Sequence, residues 1–131
     1  MLDSKHVLVA EDNDVNYTLV AFILDKQGLT VSRAATGEQA LERTLDEKPD
    51  LVLMDIQLPG MDGLEVTRRL RDNPTTHELP IVALTAFAMV GDEDRALAAG
   101  CDAYLTKPVS PHRLQETVER FIGKKQQEAG V

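Results

Sequence analysis

The sequence predicts an α/β fold built on one parallel sheet with helices on both faces. Two observations carry this. Five short apolar runs are each followed by a polar loop and a helical stretch, the repetition that right-handed βαβ units produce. The third run, Leu51-Val52-Leu53-Met54, is apolar at every position, as a strand covered on both faces must be. At 131 residues the chain has room for one ordinary domain. A domain of that size buries roughly two-thirds of its unfolded surface, so no covalent staple is required.

The elements follow in order. His6-Val7-Leu8-Val9-Ala10 is the first strand. Val15, Leu19, Phe22 and Ile23 fall at i, i+4, i+7 and i+8, the apolar stripe of a helix of about three turns, which Gly28 stops. Residues 29–34 form the second strand. Thr36 with Gln39 three residues later is a capping box, opening the helix that carries Leu41 and Leu45. After the third strand, Pro59, Gly60 and Gly63 mark a loop, and a helix with Val66 and Leu70 runs toward Asn73-Pro74. Residues 81–84 are the fourth strand. Asp92, Glu93 and Asp94 place acid at a helix start, which suits the macrodipole, and Gly100 ends that helix. Ala103–Thr106 is the fifth strand. Ser110-Pro111 supplies an N-cap followed by Pro at the first helical position, and Leu114, Val118, Phe121 and Ile122 form the last apolar face. Residues 1–123 are thus one domain, and 124–131 are expected to be a polar tail that frays.

The balance of 14 Lys and Arg against 22 Asp and Glu gives a formal net charge of −8. It disfavours nucleic acid and anionic membranes, which need basic clusters, and suits a cation or a basic protein partner. Cys101 is the one cysteine, so no internal disulfide forms and no zinc spacing exists, a usage that fits a reducing cytoplasm. The first six residues lack the long apolar run of a signal peptide, and no stretch reaches the ~20 apolar residues of a membrane span. With no tryptophan, two tyrosines and three phenylalanines, the core is expected to be aliphatic.

In parallel sheets of this kind, the active groups sit on loops at the carboxyl ends of the strands. Glu11 and Asp12 follow the first strand, Asp55 ends the third, Thr85 the fourth, and Lys107 follows the fifth. With the first and third strands adjacent, the three acids converge. Two carboxylates about 5 Å apart repel by on the order of 3 kcal/mol at an effective dielectric near 20. A bound proton or a divalent cation relieves that, and carboxylates with a backbone carbonyl and waters suit Mg²⁺. Lys107 adds a point charge and Thr85 a hydroxyl donor. Together these are the parts that phosphoryl transfer to an aspartate needs, since that chemistry is mostly positioning and charge neutralisation. Singly, each residue has a structural explanation: residues 12–14 as a helix cap, Asp55 as a turn residue. The joint placement at four strand ends is what points to chemistry.

The same residues carry a family resemblance. Glu11-Asp12-Asn13, the run Met54-Asp55-Ile56-Gln57-Leu58-Pro59-Gly60-Met61-Asp62-Gly63, then Leu84-Thr85-Ala86 and Leu105-Thr106-Lys107-Pro108 resemble the motifs of two-component response-regulator receiver domains. The match runs from about Lys5 to Gly123 in order and spacing, and it looks like the single-domain type, similar to stand-alone cell-cycle regulators and to receivers of hybrid sensor kinases. The resemblance implies a doubly wound, flavodoxin-like sheet of five strands in the order 2-1-3-4-5 with five helices. It implies that Asp55 accepts a phosphoryl group from phosphohistidine on a histidine kinase or a histidine phosphotransfer protein. Asp12, Asp55 and the Gln57 backbone carbonyl would hold Mg²⁺, with Glu11 acting through water. Thr85 and Lys107 would contact the phosphoryl group, and Lys107-Pro108 would be cis. Thr85 and Tyr104 would form the switch that reshapes the surface of the fourth helix, fifth strand and fifth helix for a downstream target. Gln57 and Phe87 sit where the family tunes phosphoryl lifetime, and the small Ala86 leaves the group accessible. No output domain fits in these residues, so the output is expected to be a protein contact, unless the chain is an excised piece of something longer.

Rival functions are weighed on single residues. A haloacid-dehalogenase-type phosphatase wants a second aspartate where Gln57 stands. A flavodoxin-like FMN binder wants a hydroxyl- and glycine-rich loop where Glu11-Asp12-Asn13-Asp14 would repel phosphate. The remaining alternative is a constitutive interaction module that phosphorylation does not regulate; such modules have usually lost an acid, the Thr or the Lys, and here all five groups are present. Elsewhere the expectations are structural. His6, His77 and His112 are scattered and exposed, Cys101 is a small core residue beside a helix end, and Met54 and Met61 pack. Arg68, Arg69 and Arg71 form a solvated helix face.

Overall fold

The structure is a computed structural model that describes residues 5–86 and 89–123. The elements alternate as expected: β1 (His6–Ala10), α1 (Asp14–Lys26), β2 (Thr30–Ala34), α2 (Gly37–Glu47), β3 (Leu51–Asp55), α3 (Gly63–Asp72), β4 (Ile81–Thr85), α4 (Asp92–Ala99), β5 (Ala103–Thr106) and α5 (Pro111–Ile122). All neighbouring strands are parallel, in the order β2-β1-β3-β4-β5. The chain order reverses beside β1, so the carboxyl ends of β1 and β3 open a crevice between their loops.

The two-residue period of the strands sorts the core onto two faces. Leu8, Ala10, Val52, Met54, Ile81 and Ala83 point to one side, where Ala40 of α2, Val66 and Leu70 of α3 and Ala96 of α4 cover them. Val7, Val9, Leu51, Leu53, Val82 and Leu84 point to the other, beneath Val20, Ile23 and Leu24 of α1 and Leu114 and Val118 of α5. Burying each Val, Leu, Ile or Met of this set contributes roughly 1.5–3 kcal/mol, and each alanine less.

The helix starts are held by side chains. Thr36 Oγ1 accepts from Gln39 N at 3.1 Å, and Gln39 Oε1 accepts from Ala35 N at 2.9 Å, so the capping box reaches back one residue beyond the cap. Asp62 Oδ1 accepts from the N–H groups of Leu64 and Glu65, and Ser110 Oγ from Arg113 N. Among residues 12–14 the α1 cap is Asn13, whose Oδ1 accepts from Asn16 N. That frees Asp12 from the structural role.

Three expectations need correction. The apolar stripe of α1 does not face the sheet: Val15 is 76% exposed, Phe22 60% and Leu19 43%, and only Ile23 of that set is buried. The helix carries two apolar stripes, and the one with Val20, Ile23 and Leu24 meets α5 and the sheet. Arg71 is not a solvated residue. Its guanidinium donates to the carbonyls of Gly100, Thr76, His77 and Leu79 and pairs with Asp102 at 2.9 Å, tying α3 to the end of α4 and the loop before β4. His6 is half-buried, its Nε2 sharing a 2.8 Å hydrogen bond with Ser32 Oγ. Cys101 is buried beside the α4 terminus, as expected, and Met54 and Met61 both pack in the core. No helix among the described residues is long and apolar enough to cross a membrane. The tail 124–131 and Phe87 lie outside the described residues.

Candidate functional site

Four of the sequence-predicted groups, Glu11, Asp12, Asp55 and Lys107, meet in one cluster, and Thr85 ends the strand beside Asp55. Glu11 N donates to Ala34 O at 2.9 Å, extending the β1–β2 ladder one residue beyond the strand. This delivers Glu11 to the interior, where it is 1% exposed, and leaves Asp12 at the solvent-facing lip. Asp55, the last residue of β3, is 4% exposed, and Thr85, the last of β4, is fully buried. Lys107 follows β5. Its backbone N–H donates to Thr85 O at 2.7 Å, and the Lys107-Pro108 bond is cis, as expected.

Carboxylate oxygens of Glu11, Asp12 and Asp55 all lie within 4.8 Å of one another. Lys107 Nζ enters this group, 2.8 Å from Asp55 Oδ2 and 2.5 Å from Glu11 Oε1. Asp55 Oδ1 accepts from Gln57 N at 2.9 Å, and Glu11 Oε2 from Asn13 N at 3.1 Å. Burial pushes the Glu11 carboxyl above its ordinary value, with repulsion from Asp55 adding to that, against the lowering pull of Lys107 and the Asn13 N–H. Burial alone would pull Lys107 down, but its bonds to Asp55 and Glu11 outweigh that and hold it above the ordinary lysine value. Lys107 therefore stays an ammonium. One ammonium among three carboxylates leaves the cluster short of positive charge. The donor set is all oxygen, with one acid at the solvent side, and it fits a small hard divalent cation that keeps part of its hydration shell.

Tyr104 lies on β5 opposite Ala83 and packs on the α3–α4 face. Its hydroxyl oxygen is buried with no hydrogen-bond partner among the described residues. Burial, with Asp92 and Glu93 of α4 nearby, raises its pKa. Ala86, the residue after β4, is exposed.

Two residues that shape the site were not singled out for that role by the sequence. Arg33, on β2, donates from Nε to Glu11 O at 3.1 Å and from Nη2 to Asp12 O at 3.2 Å. Gly63 matters for space: a Cβ there would stand 2.4 Å from Asp55 O and 2.8 Å from Ile56 Cα. Its N–H donates to Ile56 O at 3.2 Å, closing the loop after β3. The glycine was visible as a loop marker, but the close approach was not. Nothing in the sequence marks Arg33 for this role, because the acceptors that tie it to the Glu11-Asp12 loop are backbone carbonyls.

Known proteins resemble this chain in sequence and in fold. The polar-differentiation response regulator DivK of Brucella anthropi is 43% identical over 119 residues, covering 91% of this chain and 97% of that protein. The receiver domain of sensor histidine kinase PA1611 from Pseudomonas aeruginosa PAO1, solved with a magnesium ion in its active site cleft, superposes with a TM-score of 0.86 at 38% identity, covering 93% of this chain and all of that one. The receiver domain of Saccharomyces cerevisiae Ssk1, solved with the histidine phosphotransfer protein Ypd1, gives a TM-score of 0.82 at 30% identity over 92% of this chain and 90% of that one. Residues 7–119 match the family described as response regulator receiver domain, and the chain belongs to that family of two-component signalling domains.

Proposed function

We propose that the chain is a phosphorylation-activated switch of a two-component phosphorelay, with Asp55 as phosphoacceptor. The observation that carries this is the buried Asp55 carboxylate, held at one oxygen by Lys107 and at the other by the Gln57 N–H, beside two further acids. Both oxygens are oriented, and Asp12 is exposed to solvent beside them. Asp12, Asp55 and the Gln57 carbonyl would hold Mg²⁺, with Glu11 acting through water, and the ion would supply neutralisation of charge on the phosphoryl oxygens. An Asp55 oxygen forms the new O–P bond as the N–P bond of the donor phosphohistidine breaks and its imidazole leaves. Lys107 and the Thr85 hydroxyl receive the remaining phosphoryl oxygens. The donor is a histidine kinase or a histidine phosphotransfer protein in the cytoplasm, and the chain turns over no metabolite.

Output runs through α4-β5-α5. The Tyr104 hydroxyl, which has no partner among the described residues, supports this, because a buried polar atom not held by them makes its packing easy to exchange for another. A cavity of about 430 Å³ adjoins it, lined by Glu93 of α4, Tyr104 of β5 and Arg113 of α5. Rotation of Tyr104 as Thr85 moves toward the phosphoryl group reshapes that surface, a shift between two packings biased by one charged group.

Incubation with acetyl phosphate, with and without Mg²⁺, followed by intact mass, tests the function. Gain of one phosphoryl group that needs Mg²⁺ and is lost in Asp55→Asn supports it. No gain from either acetyl phosphate or a panel of phosphohistidine donors would favour a constitutive interaction module.

A further inference from the structure

Arg33 is the fourth residue of β2 and is not among the clustered carboxylates, yet its side chain holds the loop that bears two of them. Nε donates to Glu11 O and Nη2 to Asp12 O, the carbonyls of two consecutive residues. Nη2 also lies 2.8 Å from Asp14 Oδ1, and the guanidinium sits 4.7 Å from the centre of the Tyr17 ring. The backbone of Arg33 is fixed in turn: its carbonyl accepts from Arg43 Nη1 at 2.8 Å, and Arg43 Nε donates to Glu47 at 2.9 Å. A planar guanidinium presents its donors in a rigid fork, which suits two neighbouring carbonyls in a way an ammonium cannot match. The Asp14 pair adds little, because that side chain is 88% exposed.

We propose that Arg33 is a positioning residue for the divalent cation: its fork fixes the peptide groups after β1 and so sets where the Glu11 and Asp12 carboxylates point. This rests on the Mg²⁺ site proposed above. Mg²⁺ tolerates little departure from octahedral geometry, so a turn of either peptide plane displaces a ligand oxygen from its place. Groups that orient metal ligands without touching the metal typically change affinity ~10- to ~100-fold when removed.

Calorimetric titration of Mg²⁺ into the unphosphorylated protein tests this, for wild type, Arg33→Met, Arg33→Lys and Asp14→Asn. The urea midpoint of each in EDTA is a separate readout of the fold. Arg33→Met and Arg33→Lys are expected to weaken Mg²⁺ binding about tenfold or more. Asp14→Asn is expected to change it less than about twofold. Arg33→Lys keeps the charge and isolates the fork, and it decides the matter if Arg33→Met does not fold. Wild-type Mg²⁺ affinity in Arg33→Lys overturns the proposal, whatever the urea midpoints show. If the wild type itself takes up no Mg²⁺, the underlying site fails and this inference with it; binding by the wild type with unaffected Arg33 variants removes the positioning role alone.

Discussion

Lys107 Nζ donates to Asp55 Oδ2 at 2.8 Å, joining the ends of β5 and β3 across 52 residues of sequence. The same ammonium bonds Glu11, so one cation neutralises part of the repulsion between two buried acids. Removing it as Lys107→Met leaves both carboxylates buried and uncompensated. The expected cost to metal-free stability is about 3 kcal/mol, read as a lower urea midpoint. Addition of Mg²⁺ is expected to restore part of that loss by binding the folded state alone.

Glu11→Gln is expected to act in the opposite direction. Burial raises the folded pKa of Glu11, so the folded chain holds that proton more tightly than the unfolded chain does. The resulting stability is present below the unfolded pKa and is lost as pH rises through the raised folded value. At neutral pH the ionised carboxylate therefore weighs against the metal-free fold. Glutamine imitates the protonated form, and the variant is expected to show a higher urea midpoint in EDTA at pH 7. Its Mg²⁺-dependent rise in melting temperature should shrink. A destabilised Glu11→Gln in EDTA would mean that the pair with Lys107 outweighs burial.

Gly63→Ala tests the packing beneath Asp55. The added methyl carbon meets backbone atoms of Asp55 and Ile56, which cannot rotate aside as a side chain can. A loss of at least about 2 kcal/mol is expected, together with slower phosphorylation, because the strained atoms belong to the acceptor residue and its neighbour.

The two faces of α1 should respond unequally. Leu24→Ala opens a cavity between α1 and the sheet and is expected to cost about 3 kcal/mol. Phe22→Ser, on the exposed stripe, should change stability by less than about 0.5 kcal/mol. Equal costs in denaturant titrations would return the Val15-Leu19-Phe22 stripe to the core.

That contrast shows what a linear pattern carries and what it omits. The alternation of elements and the caps follow from local signals, as with Thr36 and Gln39 or the all-apolar β3, whereas the order of strands in the sheet comes from the family resemblance. The convergence of Glu11, Asp55 and Lys107 follows from topology once the strands are parallel and β1 neighbours β3. Helical period alone could not choose between the two apolar stripes of α1, because the choice depends on α5, some ninety residues away. Arg33 and Arg71 escaped for another reason. Both donate to backbone carbonyls, and an acceptor that every residue possesses leaves no mark in a sequence.

The most direct test of the central claim is chemical identification of the acceptor. An aspartyl phosphate is reduced by borohydride to homoserine, which peptide mass spectrometry locates. After phosphorylation in Mg²⁺, reduction is expected to place homoserine at position 55 alone, and none after treatment in EDTA. Homoserine at position 12, or at no position while a competent phosphohistidine donor is present, would contradict Asp55 as the phosphoacceptor.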